Sequence, residues 1–478
     1  MAGIREIHGS IFILLSIEIS MCKVTDNFLP LKCFFRRILN ILLAALALIA
    51  LNSAGSSAQN LRASAGALVK RGDQLQVKGD FAAAIHAYTE AIAINSRLAE
   101  AFANRGHAQE AIGKLNEALA DYSRAVEANP RLGIAYNNRA ILKFLKQDVD
   151  GAMSDFNKAI KVSPKLAEAY YNRGCAWSAQ GDQEKAIADF NLAILRFPIF
   201  FADPISISTR NPNQATAYNA RGLARQAKGD LDGAKADFSD SIRMSPHFAE
   251  AYNNRGALLV RKGYAYDAIS DLDTSIQINP HFPETYYNRG NARKMAGDNP
   301  GALDDYTKAI ELNPDLELAY LDRGRIRYEM NDLDGAASDF ERVIRLNPEI
   351  AAAHNNLGLI HEARGELNLA ISVFTRAMQI SPGYAESYFN RGRILAMIGD
   401  LTTAILDFDK AIMMHPEDAL AYFQRGSTRL LQGKAVEAED DFEKSIAIGH
   451  NIRIFLESHI AAIKHNMSAG PPLTDALD

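Results

Sequence analysis

The side chains best placed to do chemistry in this 478-residue chain are amides. Asn104, Asn138, Asn172, Asn254, Asn288, Asn356 and Asn390 fall at one offset of a segment that keeps recurring. An amide both donates and accepts hydrogen bonds, so a row of them can follow an extended peptide backbone. Bonding within the chain is the alternative. Tyr171, Tyr287, Phe389 and Phe423 stand one residue before the same offset. Exposed rings are typical anchors at protein interfaces, although packing between neighbouring segments could absorb some of them.

One residue after that offset comes arginine in ten segments, and in nine of these an aspartate follows sixteen residues later, as in Arg173 and Asp189. Leu357 has Val373 at the matching place, so both charges vanish together; Arg71 with Ala87 breaks the pattern. The couple is expected to be an internal ion pair, with ligand-binding arginines the competing reading. None of this is catalytic. The chain has no Gly-x-x-x-x-Gly-Lys loop, no His-Glu-x-x-His and no Gly-x-Ser-x-Gly. His354 and His361 share a helical face, a pair read as uncommitted in preference to metal-binding. The expectation is a protein that is no enzyme and has no cofactor or metal.

The elements that position these residues are set by the period. Units of 34 residues start at positions 65, 99, 133, 167, 215, 249, 283, 317, 351, 385 and 419. Each holds two runs with apolar and small residues at helical spacing, such as Tyr170, Gly174 and Trp177, then Ala186, Phe190 and Ala193. Gly181-Asp182 and its equivalents signal a turn between them, and a proline at unit position 32, Pro130 to Pro416, closes the second run. Glycine at position 8 in ten units costs about 1 kcal/mol each within a helix. Close helix approach must offset that cost, and the alanine at position 20 of every unit is expected to be the facing surface.

These residues resemble the tetratricopeptide repeat family over about Ala65 to His450, less one insertion. The resemblance implies an all-α fold: a right-handed α-α superhelix of about eleven helical hairpins whose concave groove is lined mainly by first helices. It also implies that positions 2, 5, 6, 9, 12 and 13 face the groove. The seven asparagines and four aromatic residues named above would then be its peptide-binding residues. Arginine at position 7 departs from the family, which usually has leucine there.

The remaining segments surround that array. Arg36-Arg37, an apolar stretch from Ile38 to Leu51 and small residues to Ala58 have the layout of a secretory signal. Residues 1–58 are therefore expected to be a signal peptide cleaved near Ala58, or else a retained anchor. Units one to four span 65–198, an insertion 199–214, and units five to eleven 215–450. Ile452, Ile454, Phe455, Ile460 and Ile463 are expected to form the apolar side of a capping helix at 451–466, with a mobile tail at 467–478. The net charge of −5 lacks the basic excess of a nucleic-acid binder. Of three cysteines only Cys175 lies beyond the signal segment, too few for an internal disulfide.

The functional expectation is a periplasmic or secreted, non-catalytic scaffold that docks a peptide segment of a protein partner. The alternative is a membrane-tethered structural subunit of an envelope assembly or export complex. An accessory subunit of a carbohydrate-modifying enzyme ranks below both.

Overall fold

The computed structural model describes residues 63–197, 213–449 and 453–469, and every regular element within them is an α-helix. The expected signal segment and most of the expected insertion lie outside the described residues. The chain divides into two compact blocks, 1–197 and 198–478.

Each unit is a helical hairpin, in nine units of a 13-residue and a 14-residue helix, as in Ala167–Ala179 and Gln183–Arg196. The reversal needs a left-handed residue: Gly181 has φ +83°, which glycine adopts without strain. Asp182 follows, and its carboxylate accepts the Lys185 backbone N–H at 3.1 Å, capping the second helix. Gln147 and Asn331 take the same conformation at φ 64° without being glycine. Second helices stop two residues before the recurring proline. Asn129 is extended (φ −139°), as a residue preceding proline must be. Its side-chain oxygen accepts the Arg131 N–H at 3.0 Å and turns the chain into the next unit.

The position-20 alanines are fully buried in all eleven units, Ala84 to Ala438. They are not what the glycines chiefly face. Each of the ten position-8 glycines lies under the position-24 side chain of its own unit, a ring in nine units and Leu272 in the other. A methyl group on Gly174 would sit 2.8 Å from the Phe190 ring, and one on Gly222 2.6 Å from Phe238. Tyr88, Tyr122, Phe238, Tyr306, Phe374 and Phe408 are wholly buried in such seats. The glycine cost is thus offset by ring burial, not by backbone contact alone.

Two expected boundaries shift. Asn213 and Thr216 form a capping box, so the fifth unit starts helical at Gln214 rather than Ala215. The capping helix runs Arg453–Ala469, so residues 467–469 belong to it and not to a tail. Its buried side is Leu456, Ile460 and Ile463, packed on Phe423 and Phe442. Ile454, 85% exposed, and Phe455 point away from that contact, contrary to the sequence expectation, because the helical phase brings Leu456 inward instead. Among the described residues no helix is long and apolar enough to cross a membrane.

Replacing Gly174 with alanine should gain helix propensity yet drive a methyl group into Phe190. Overpacking of about 1–3 kcal/mol is expected to win, seen as a lower melting temperature. A rise would mean that the ring gives way freely.

Candidate functional site

The arginines at position 7 are the most constrained polar side chains of the repeat. All nine arginine–aspartate couples form, each bidentate. Nε and one terminal nitrogen donate to the two carboxylate oxygens at 2.6–3.0 Å, from Arg105–Asp121 to Arg425–Asp441. The carboxylates are nearly buried, at 6% side-chain exposure for Asp189 and 2% for Asp155. In eight units the remaining nitrogen donates to position 25 of the preceding unit at 2.5–3.4 Å, for example Arg173 to Asn157 and Arg323 to Thr307. The guanidinium also lies over the position-4 ring, 5.2 Å from the Tyr218 centroid for Arg221. Burial alone would raise the Asp155 carboxyl; hydrogen bonds from Arg139 and Lys143 outweigh it and hold that group below the usual carboxylate range. These arginines are therefore structural.

The asparagines are committed in part. Nδ2 of Asn172 donates to Asn137 at 3.0 Å, Asn254 to Asn219 at 3.0 Å, Asn288 to Asn253 at 2.9 Å and Asn390 to Asn355 at 3.1 Å. Each acceptor sits at position 5 of the preceding unit and is buried, 2% exposed for Asn137. Sequence reasoning passed over these four acceptors, although each is followed 35 residues later by a position-6 asparagine. Asn104 donates to Asp73 at 2.8 Å, and Asn138 accepts from Asn137 at 3.1 Å. Asn356 follows a unit with Leu321 at position 5, and its Nδ2 is buried without a partner. Asn390 is buried, whereas the other six stay half-exposed.

The rings sit deeper than interface anchors would. Phe423 and Tyr171 are buried at 6% and 9% exposure, and Tyr287 and Phe389 are half-buried. Each packs on the position-24 ring of its own unit, with centroids 5.8–6.2 Å apart. Position 5 lies one helical turn before the position-8 glycine, on the side that meets the second helix. The expectation of exposed rings fails for that reason. The two histidines are engaged separately, His354 with the Pro348 carbonyl at 3.0 Å and His361 with Glu366 at 2.6 Å. Burial pushes the Cys175 thiol up to about 11, which leaves it unreactive near neutral pH.

Models of the tetratricopeptide repeat match residues 69–132, 103–165, 219–281 and 321–385, and further ones match 167–199, 283–316 and 373–405. Together they span more than half of the chain. The chain belongs to the tetratricopeptide repeat family. No curated protein matches it. Among solved structures it is similar to MamA, with 27% identity over 34% of this chain and 96% of that one and a TM-score of 0.32. A tetratricopeptide repeat protein from Parabacteroides merdae shares 22% identity over 54% of this chain and 96% of that one, at 0.40. YrrB, described as having an unusual peptide-binding site, shares 21% over 41% and 95%, at 0.32. These likenesses carry no more than the repeat itself.

As in the family, the tetratricopeptide units form a scaffold for protein contacts. Positions 2, 9 and 13 share the helical face of position 6, being offset by one or two turns. Exposed apolar side chains occur there: Ile134, Leu318 and Leu420 at position 2, Leu223 at position 9, and Leu145 and Met295 at position 13, all 39–64% exposed. They were legible as groove positions but not as an apolar set.

Removing Asp189 alone should strand the Arg173 guanidinium and cost about 3–5 kcal/mol. Arg173→Leu combined with Asp189→Val copies the pair that the ninth unit already uses and should recover most of that loss. Denaturant midpoints for the single and double variants check this. No recovery would mean that the charges themselves are required.

Proposed function

We propose that the chain is a non-catalytic scaffold that holds a peptide segment of a partner protein along the first-helix face of its tetratricopeptide units. One observation supports this reading above others: half-exposed amides and exposed apolar side chains share that face. A bound peptide needs both. Its backbone takes hydrogen bonds from amides with capacity left over, since each amide couple uses only one N–H of the position-6 asparagine. Its side chains take apolar contacts from residues such as Leu318 and Leu420. The buried position-5 rings, Tyr171 and Phe423, then serve by stiffening the face from behind, not by touching the ligand.

The purified chain should enrich a subset of a displayed random-peptide library. Leu318→Asp with Leu420→Asp alters exposed side chains, so the melting temperature should hold while affinity for the enriched peptides falls about tenfold or more. Unchanged affinity would remove this face from the reading.

The same proposal places the protein outside the cytoplasm. It is supported by Arg36-Arg37, the apolar stretch to Leu51 and the small residues ending at Ala58. Terminal sequencing of the protein recovered from cells should begin at Gln59. A chain that still begins at Met1 or Met21 would favour the membrane-tethered subunit instead.

A further inference from the structure

Position 34, the last residue before each new first helix, is a plug. At eight of the nine described boundaries between consecutive units it is apolar or aromatic, Leu98, Leu132, Phe248, Leu316 and Ile350 among them. Those five pack onto the hydrophobic clusters between units. The tenth unit has Asp418 instead. Its carboxylate turns to the following helix and accepts the Leu420 and Ala421 N–H groups at 3.0 and 3.2 Å. With the plug gone, a surface cavity of about 410 Å³ opens at the end of the tenth unit, lined by Glu386, Phe389, Met414, His415, Glu417 and Asp418 among others of that unit.

That volume falls within the range of ligand sites. The lining combines an aromatic ring, braced from behind by Phe408 at 6.0 Å, with three carboxylates. Among the described residues neither Glu386 nor Glu417 has a cationic partner, and the lining has only the His415 imidazole as a basic group. The carboxylates alone would say little. A ligand-sized opening made by the loss of an otherwise uniform apolar plug, with an aromatic wall, says more. Glu386 and Phe389 stand at positions 2 and 5 of their unit, so the cavity opens beside the first-helix face already described.

We propose that this cavity receives an arginine side chain of the bound peptide. A guanidinium is planar, stacks on an aromatic ring and donates to carboxylates in a fork. The cavity offers Phe389 for the first contact and Glu386, Glu417 and Asp418 for the second. A carboxylate-bearing side chain is repelled there, and a purely aliphatic one leaves the acidic wall unpaired. This inference rests on the peptide-binding reading for its setting, but the cavity is testable on its own.

Two probes separate them. Ligand-observed NMR with N-acetyl-arginine methylamide, set against N-acetyl-norleucine methylamide, tests the cavity alone; enriched library peptides test the face. The arginine amide should bind and the norleucine amide should not. Asp418→Leu restores the plug used by the other units and should weaken arginine-amide binding about tenfold or more. Glu386→Gln changes an exposed, unpaired carboxylate; it should weaken binding several-fold with no change in melting temperature, so it decides the matter if Asp418→Leu folds poorly. Equal binding of the two amides, or arginine-amide binding untouched by either substitution, overturns the inference. Arginine-amide binding without any enriched peptide would leave the cavity standing and remove the peptide-binding face.

Discussion

Eight of the stacking contacts each turn on one guanidinium. The arginine at position 7 leaves the first helix, grips an aspartate on the second, and in eight units reaches back to position 25 of the preceding hairpin. One side chain therefore fixes both the hairpin angle and the neighbour. Desolvating such a pair is costly, and it holds only where the charges are fully satisfied. Bidentate geometry, the extra donor contact and the ring beneath meet that condition. Position 6 lies immediately beside position 7, so the orientation of the candidate binding amides is a consequence of the clamp.

The ninth unit shows what the clamp replaces. Its position-4, position-7 and position-23 residues are His354, Leu357 and Val373. Leu357 joins a cluster with Leu321, Phe340, Ala353 and Ile360 that runs across the boundary with the eighth unit. An apolar contact thus does the joining there, and a cavity of about 520 Å³ lies beside His354 and Val373 where the ring-and-charge stack is missing. Charges and apolar groups are alternative solutions at this place; the ninth unit exchanges both, and the first unit, which keeps Arg71 opposite Ala87, leaves that arginine exposed. A mixed state, with one charge left alone, would bury an unpaired ion.

Much of this was legible in the sequence because the period exposes partners. The Gly-Asp turn, the closing proline and the arginine–aspartate couple recur at constant offsets, and a constant offset within one hairpin is a constant distance in space. Contacts that cross between units, or that need a shape, were harder to see. The Phe190 ring on Gly174 required knowing which flank of the first helix faces the second. The Asn172–Asn137 couple joins different unit positions, so aligning like with like hides it. For the same reason Tyr171 and Phe423 read as surface rings when considered only along their own helix. The Asp418 substitution was plain in the letters, but its meaning depends on the apolar plug that it removes.

A repeat with identical units would bind the same way everywhere along its length, so its specificity must come from departures. The clamp recurs in nine units and carries no information about which neighbour is which. The layer beside it does. Asn137, Asn219, Asn253 and Asn355 each meet an asparagine of the next unit, whereas Tyr287 donates its hydroxyl to Asp322 at 2.9 Å. Leu321 offers nothing, and the Asn356 amide above it goes unpaired. Placing one of these asparagines beside a unit that lacks its counterpart would break such a couple and bury an unmatched polar group, at about 1–3 kcal/mol. The polar layer thereby distinguishes units that carry an amide couple from those that carry Tyr287–Asp322 or Leu321, where the clamp alone treats them alike.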